Sequence, residues 1–216
     1  MIKFKPIEYH IAIDFLLPRH YSGRKPVVSY AFGAHEDNVL KAVCTFGKPA
    51  SQKPCWCCGK ENELHVIELN RLCRTDDYKS PLSEFVAWCL RQLKSLDKIV
   101  ISYSDTGMNH HGYICQACNF LYTGCTKQRT DPWSSKSKHA RHLKEEGAGY
   151  RKIRTSKHRY IYFCTNKKWL KKQWSEKLVY DILPYPKGDN NKDYELGFVL
   201  KDKIVETAKT NMEGLY

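Results

Sequence analysis

The stretch "SYSDTGMNHHGYICQACNFLYTG", residues 102–124, concentrates side chains that can do chemistry. A carboxylate at the end of a strand, here Asp105, can remove a proton as a general base or cap the following turn. The Tyr113 hydroxyl can protonate a leaving group or hold a carbonyl. We therefore expect Asp105 and Tyr113 to face a reacting centre. Gly107 and Gly112 lack a Cβ and should let the backbone approach a ligand.

Two cysteine pairs have the spacing of zinc ligands. Cys55 and Cys58 lie in "PCWCC", and Cys115 and Cys118 lie in "YICQAC". Four thiolates could form one tetrahedral site, but buried free cysteines also pack simply as small apolar side chains. We favour packing and predict no metal site.

A cysteine nucleophile is a further alternative, because Cys115 follows His110 and His111 closely. A reactive thiol needs a partly exposed, electropositive setting, which a sequence does not reveal. No glycine-rich phosphate loop of either common spacing is present, so nucleotide hydrolysis and dinucleotide binding are not indicated.

The positive charge lies mainly in the last half of the chain. The formal net charge is +13, and residues 127–172 hold fifteen Lys or Arg against Asp131, Glu145 and Glu146. Basic residues interleaved with aromatic ones suit a nucleic-acid surface, although the aromatic residues could instead be core. We predict that double-stranded DNA contacts the following residues: Lys127, Arg129, Trp133, Arg151, Lys152, Arg154, Lys167, Lys168, Lys171 and Lys172. Trp133 and Tyr150 are candidate stacking platforms.

The amino-terminal residues do not form an apolar signal segment, so the ten cysteines are expected to be reduced in a cytosol. No run of about 18 apolar residues occurs, which argues against a membrane span.

The elements that must position these residues alternate between strands and helices. Residues 27–48 read as an antiparallel hairpin around "AHEDN". Residues 65–105 read as a strand, a polar loop, an amphipathic helix and a buried strand, hence a parallel pair. Ligands bind near the carboxyl ends of such strands, here around residues 71–74 and 103–105.

This succession resembles the GNAT acyltransferase fold, an α/β fold whose central parallel strands splay to admit the acyl donor. Within it, the chain is similar to the Mom family of phage DNA-modification proteins. The similarity covers about residues 10–165 and is carried by "HYSGRK" (20–25), "TFGKPAS" (45–51), "IELNRL" (67–72), "PLSEFVAWCLRQLK" (81–94) and the opening stretch. We expect a GNAT-like domain over residues 1–165 and a basic, loop-rich extension over residues 166–216 packed on it.

The resemblance implies a transferase that converts adenine N6 in DNA to a carbamoylmethyl form and shields phage DNA from restriction in the cytoplasm of an infected bacterium. The catalytic positions it implies are His20, Tyr21, Asp105 and Tyr113. The donor-binding positions it implies are Arg71, Ser83, Asn119 and Tyr122, with Gln116 on the same predicted helix as Asn119 and Tyr122.

The donor stays open at this point. GNAT enzymes usually hold a pyrophosphate on a glycine-rich loop after the fourth strand, but the corresponding "RTDDYKSP", residues 74–81, has no glycine. Both acyl-coenzyme A and an aminoacyl donor such as a charged tRNA are therefore considered, and tRNA would then be a second partner.

The chemistry sets two requirements. Adenine N6 is a poor nucleophile, so a base must take its proton, and a paired adenine must be flipped out of the duplex. Two other functions remain open: a non-catalytic nucleic-acid-binding protein with a structural zinc, and a GNAT acyltransferase acting on a protein or small amine.

Overall fold

The computed structural model describes residues 1–133, 149–189, 201 and 203–206. Seven strands form a mixed sheet in the order β1-β2-β3-β4-β5-β9-β6, and three form a small second sheet in the order β10-β8-β7. The strands are β1 Ile2–Pro6, β2 Tyr30–Glu36, β3 Val39–Gly47, β4 Val66–Arg74, β5 Lys98–Asp105, β6 Leu121–Cys125, β7 Arg129–Pro132, β8 Tyr150–Arg154, β9 Lys157–Cys164 and β10 Lys203–Glu206. The α-helices are α1 Tyr9–Leu16, α2 Gln52–Cys55, α3 Leu82–Leu93, α4 Tyr113–Ala117 and α5 Lys168–Glu176.

The predicted hairpin over residues 27–48 is confirmed. Strands β2 and β3 pair antiparallel, and Asp37 and Asn38 connect them with φ angles of 49° and 67°. Positive φ at both turn residues matches the right-handed twist of the paired strands, and Asp and Asn tolerate it better than most residues.

The predicted strand–helix–strand crossover is also confirmed, and it creates an opening. Strands β4 and β5 run parallel but pair only over Val66–Leu69 and Ile99–Ser102. Beyond these residues β4 stays with β3 and β5 stays with β9. The sheet is thus split between two central parallel strands, and the predicted GNAT-like α/β fold is confirmed.

Helices cover both faces of the large sheet. On one face, which we call the α3 face, Phe85, Val86 and Cys89 of α3 pack with Phe46, Val100 and Tyr160. On the other face, the α5 face, Leu170 and Trp174 of α5 pack against alternate residues of β5 and β9, including Ile101 and Ile161. Helix α1 lies on the α5 face, where it packs against Val43.

The predicted helix over "YICQACNFLY" is too long. Helix α4 ends at Ala117, and Asn119 turns the chain with a φ of 59°. The residues that follow join β6, so Tyr122 lies on a strand and not on the helix. The left-handed conformation of Asn119 ends the helix, and the aromatic and β-branched residues after it favour a strand.

Strands β6 and β9 do not form a simple hairpin. Strands β6 and β9 do pair antiparallel, but β7 and β8 lie between them in the chain and form the small sheet with β10. Elements beyond residue 165 therefore contact elements before it. None of the helices in the described ranges combines the length and apolar composition of a membrane span.

Trp174 should contribute strongly to stability. It is fully buried, and its Nε1 donates to Asn62 Oδ1 at 3.1 Å. We expect Trp174→Ala to lower the free energy of unfolding by about 3–5 kcal/mol in urea titrations, because it removes a large core side chain. Trp169→Ala on the same helix, where the side chain is 64% exposed, should change it by no more than about 0.5 kcal/mol. Equal effects would show that α5 is not part of the core.

Candidate active site

A bulge in β4 sets the geometry of the opening between β4 and β5. Asn70 is the extra residue, since Thr45 pairs with Arg71 while Phe46 pairs with Leu69. The Asn70 side chain holds the bulge, accepting a hydrogen bond from Thr45 Oγ1 at 2.7 Å and donating to the Val27 carbonyl at 2.6 Å. Because the bulge adds one residue, Arg71 points to the same face as Glu68.

Glu68 is a mostly buried carboxyl group in this opening, on the α5 face. Burial raises its pKa to about 7, against the opposing effect of the nearby positive charges of Arg71 and Lys157. Near neutral pH the group can therefore both accept and release a proton. Sequence reasoning missed Glu68, although a glutamate inside the apolar run "HVIELNRL" was the available signal.

Arg71 borders Glu68 and has an unused donor. Its Nη1 donates to the Asn70 carbonyl at 2.6 Å and its Nη2 to the Arg24 carbonyl at 3.2 Å. Its Nε is buried and has no hydrogen-bond partner among the described residues. Buried donors are nearly always paired, so an acceptor from a bound ligand would complete this site.

His20 and Tyr21, predicted as catalytic, reach the same place from the loop after α1. Their rings stack with centroids 4.4 Å apart. Burial, then the charges of Arg71, Lys157 and His110, lower the pKa of His20 to about 3, so its ring is neutral at physiological pH. The Ser22 backbone N–H donates to Nδ1 at 3.1 Å, which leaves the ring proton on Nε2. His20 is therefore a hydrogen-bond donor here.

Asp105 is buried at the end of β5, and its carboxylate is fully engaged. The Gly107 backbone N–H donates to Oδ1 at 2.9 Å, Thr155 Oγ1 donates to the same atom, and Lys157 Nζ lies 3.0 Å from Oδ2. Burial alone would raise the pKa, but the Thr155 hydrogen bond and Lys157 hold it below its ordinary value. Asp105 thus caps the turn that follows β5, and its predicted catalytic role stays a prediction.

The other predicted residues lie apart from this cluster. Tyr113 is 42% exposed on α4, and its hydroxyl donates to the Gly188 carbonyl. Tyr122 is buried on β6 with its hydroxyl 2.9 Å from His158 Nδ1. Asn119 is exposed after α4. Ser83 lies in the first turn of α3, where its carbonyl accepts a hydrogen bond from Cys118 Sγ. The structure therefore does not bring the predicted donor-binding set together with Arg71.

Gly107 and Gly112 of the opening stretch admit protein atoms. A Cβ on Gly112, whose φ is +78°, would lie 2.4 Å from the Tyr160 ring, and one on Gly107 would lie 2.5 Å from Thr155 Cγ2. The close approach predicted for a ligand is made by these two side chains.

The two CxxC pairs do not share a site. Cys58 packs in the core of the α5 face, whereas Cys115 and Cys118 pack in the core of the α3 face, so the sheet separates them. Within the part of the chain that the structure describes, no three His, Cys, Asp or Glu side chains form a metal-binding group. Burial raises the pKa of Cys115 to about 12, which removes the proposed Cys115 nucleophile.

The predicted DNA-binding residues fall into two groups, which lie beyond the two opposite ends of strand β9 in the large sheet. Lys127 precedes the small sheet, and Trp133, just after β7, contacts Tyr150 with ring centroids 6.3 Å apart. The small sheet joins β9 at Lys157, beside Asp105, and it carries Arg129, Arg151, Lys152 and Arg154. Lys167, Lys168, Lys171 and Lys172 lie at α5, where Lys167 pairs with Asp97 at the start of β5. We call these groups the β7–β8 group and the α5 group.

A sequence model of the Mom protein family matches residues 1–187. A search of curated proteins gives no match. Solved structures with a similar fold include an N-acetyltransferase from Staphylococcus aureus Mu50, with 10% identity and a TM-score of 0.48 over 76% of this chain and 99% of that one. Another is yncA from Salmonella typhimurium with its cofactor acetyl-CoA, at 6% identity, a TM-score of 0.49, and coverages of 77% and 96%. A third is a polyamine N-acetyltransferase from Drosophila melanogaster, at 10% identity, a TM-score of 0.46, and coverages of 76% and 100%. These similarities are too distant to indicate a substrate.

The position of Glu68 predicts a pH-dependent cost to stability. Its pKa rises from 4.5 in an ordinary setting to about 7 in the folded chain, so ionisation favours unfolding increasingly between these pH values. Glu68→Gln removes this cost. Its stability relative to the wild type should therefore rise by about 1–3 kcal/mol from pH 5 to pH 8 in urea titrations. Glu176→Gln, at an exposed site on α5, should show no such trend. A pH-independent difference for Glu68→Gln would contradict the raised pKa.

Proposed function

The chain belongs to the Mom protein family, and on this premise we propose that it is a transferase that converts adenine N6 in DNA to a carbamoylmethyl form, protecting phage DNA from host restriction. Family membership and the split mixed sheet support a group-transfer function. One observation carries the proposal furthest: a carboxyl group with a pKa near neutrality, Glu68, lies beside the unpaired Nε of Arg71 at the opening between β4 and β5.

Glu68 is the proposed general base. Adenine N6 becomes nucleophilic only as it loses a proton, and a base with a pKa near the working pH takes that proton most effectively. Asp105 is less suited, because its lowered pKa makes it a weaker base and its oxygens already accept hydrogen bonds. We assign Asp105 the role of fixing Lys157 and the turn at Gly107.

Arg71 and His20 are the proposed binding groups for the donor carbonyl. As N6 attacks the carbonyl carbon of a glycyl donor and the bond from that carbon to the donor's oxygen or sulfur breaks, the negative charge that develops on the carbonyl oxygen is stabilised by fixed donors in a water-poor site. The Nε of Arg71 and the Nε2 proton of His20 are such donors. Tyr21 stacks on His20 and holds its ring in place. This acyl transfer gives the glycyl amide of N6. Attack of the glycyl amine on adenine C6, with departure of the original N6 as the amide nitrogen, then converts the amide to the isomeric carbamoylmethyl form.

The loop after β4 does not resemble a pyrophosphate cradle. The backbone N–H groups of Thr75 and Tyr78 donate to protein carbonyls, and Asp76 and Asp77 add negative charge. Arg74 and Lys79 balance the two carboxylates and Asp77 pairs with Lys41, so the loop offers a pyrophosphate neither the Thr75 and Tyr78 N–H groups nor a net positive charge. We therefore propose that the donor is held by its activated carbonyl, and both an acyl-coenzyme A and an aminoacyl ester such as a charged tRNA should be tested.

The β7–β8 group is the proposed DNA contact. It lies at the same edge of the sheet as Asp105, so phosphates bound there would place an adenine near the opening. Strands β7 and β8 pair antiparallel, with β10 along the other side of β8, and carry Arg129, Lys152 and Arg154 as the proposed contacts to backbone phosphates. The paired rings of Trp133 and Tyr150 could stack on an unpaired base.

The test of function is mass spectrometry of nucleosides from DNA of cells that express the chain. We expect a deoxyadenosine with the added mass of a carbamoylmethyl group. Fragmentation must distinguish this product from the isomeric glycyl amide, which direct aminoacyl transfer would give. Unmodified DNA from cells that contain folded protein would overturn the proposal.

The same assay assigns the base. Glu68→Gln should reduce modification by about two to four orders of magnitude, because the amide cannot take a proton. Asp105→Asn should retain more activity, because Asn also caps turns. If Asp105→Asn is the inactive variant and Glu68→Gln works at the wild-type rate, the base is Asp105.

If the β7–β8 group contacts DNA, two sets of charge reversals that change the net charge equally should affect duplex binding differently. Changing Lys127, Arg129 and Lys152 to Glu should weaken duplex binding and flatten its log–log salt dependence by about 0.9 per lost phosphate contact. Changing Lys168, Lys171 and Lys172 to Glu alters the net charge equally but should have a smaller effect. Fluorescence anisotropy over a salt series measures both. Equal effects would show that the α5 group also contacts the duplex.

A further inference from the structure

A cysteine and a histidine lie together on the α3 face, away from Glu68. Cys125 Sγ is 3.1 Å from His158 Nδ1, and the Tyr122 hydroxyl is 2.9 Å from the same nitrogen. Cys125 is exposed, whereas the other nine cysteines are buried. A thiol that is both accessible and in contact with an imidazole is the arrangement that activates cysteine as a nucleophile.

The local backbone creates this contact. The register between β6 and β9 shifts between Tyr122 and Cys125, and Gly124 there has a φ of +83°. Because this irregularity inserts one extra residue into β6, Cys125 comes to lie opposite His158 on β9. Glycine adopts such a conformation without steric cost.

The His158 imidazole is neutral and has a lone pair that can accept a proton at Nδ1, although its lowered pKa also makes it a weaker base than a free histidine side chain. Burial, together with the neighbouring His111, lowers the pKa of His158, so the ring is neutral at physiological pH. Once protonated, its Nδ1–H can be shared between the sulfur and the Tyr122 oxygen. Tyr122 then stabilises the charged pair.

The pair also lies near the end of β9 that is next to Asp105, which we call the reaction edge. Along β9, His158 follows Lys157 directly, and Lys157 pairs with Asp105 across the sheet. The thiol therefore lies at the same end of β9 as Asp105, on the opposite face of the sheet from Glu68.

We propose that Cys125 and His158 form a nucleophilic thiol–imidazole pair that accepts an acyl group from an activated ester or thioester. The thiol proton moves to His158 as sulfur attacks the carbonyl carbon. A sulfur–carbon bond forms, the bond from the carbonyl carbon to the donor's oxygen or sulfur breaks, and the leaving group departs with the proton. This inference rests on the acyl-transfer part of the proposed function and not on adenine as the acceptor.

The experiment uses the full chain without DNA, and p-nitrophenyl acetate as the probe. Intact-mass and peptide analysis should find a hydroxylamine-sensitive acetyl group on Cys125, formed at least about tenfold faster than on N-acetylcysteine at the same pH. Cys125→Ser should lose it. An acetylation rate at Cys125 no higher than that of N-acetylcysteine would overturn the proposal.

Two variants test the imidazole. His158→Gln should lower the rate at Cys125 to that of the free thiol, and His10→Gln, an exposed histidine on α1, should leave it unchanged. If His158→Gln does not fold by circular dichroism, Tyr122→Phe serves in its place and should lower the rate severalfold. A folded His158→Gln variant, or in its place Tyr122→Phe, that reacts at the wild-type rate would refute the pair. Because no DNA is present, failure of the nucleoside assay would not alter this result.

Discussion

The separation of β4 from β5 is the constraint on which the candidate site depends. The two strands share hydrogen bonds for only four residues each and then follow different neighbours. An open sheet leaves backbone groups unpaired, and such groups are costly unless something binds them. Here the bulge at Asn70 ties β4 to β3 and to the Val27 carbonyl, so β4 is held away from β5 by bonds on its other side. The opening is therefore a fixed feature of the sheet, and Glu68 and Arg71 are placed by the same bulge.

The surroundings of two carboxyl groups near this opening shift their pKa values in opposite directions. The Glu68 carboxyl group is mostly buried and the nearby cations do not offset its desolvation, so its pKa rises. Asp105 is also buried, yet a hydroxyl, a backbone N–H and an ammonium group bind its oxygens and outweigh the desolvation. When their surroundings shift the pKa values of two titratable groups in opposite directions, the group whose pKa lies nearer 7 suits proton transfer. The other group suits a fixed charge.

The sequence predicted most of the helices and strands correctly, but it did not predict which side chains point to the same face of the sheet. The hairpin and the β4–α3–β5 crossover follow from apolar periodicity, which survives in the buried residues of α3. Asn119 and Tyr122 were misassigned to a helix because "YICQACNFLY" has an apolar pattern compatible with a helix, while one left-handed residue decides where it ends. That Arg71 shares a face with Glu68 was missed for a related reason. In a strand, one inserted residue reverses which side chains share a face, and the sequence around Asn70 gives no sign of the insertion.

Composition could show that the chain is basic but not where the charge acts. Strand β9 starts at the Asp105 edge and ends at the edge that leads to α5. Its eight residues span about 23 Å at about 3.3 Å per residue. That distance exceeds the Debye length of about 8 Å at physiological ionic strength, so the α5 group is largely screened from a phosphate bound at the reaction edge. The β7–β8 group and the α5 group therefore do not act as one surface on a single phosphate, because strand β9 separates them.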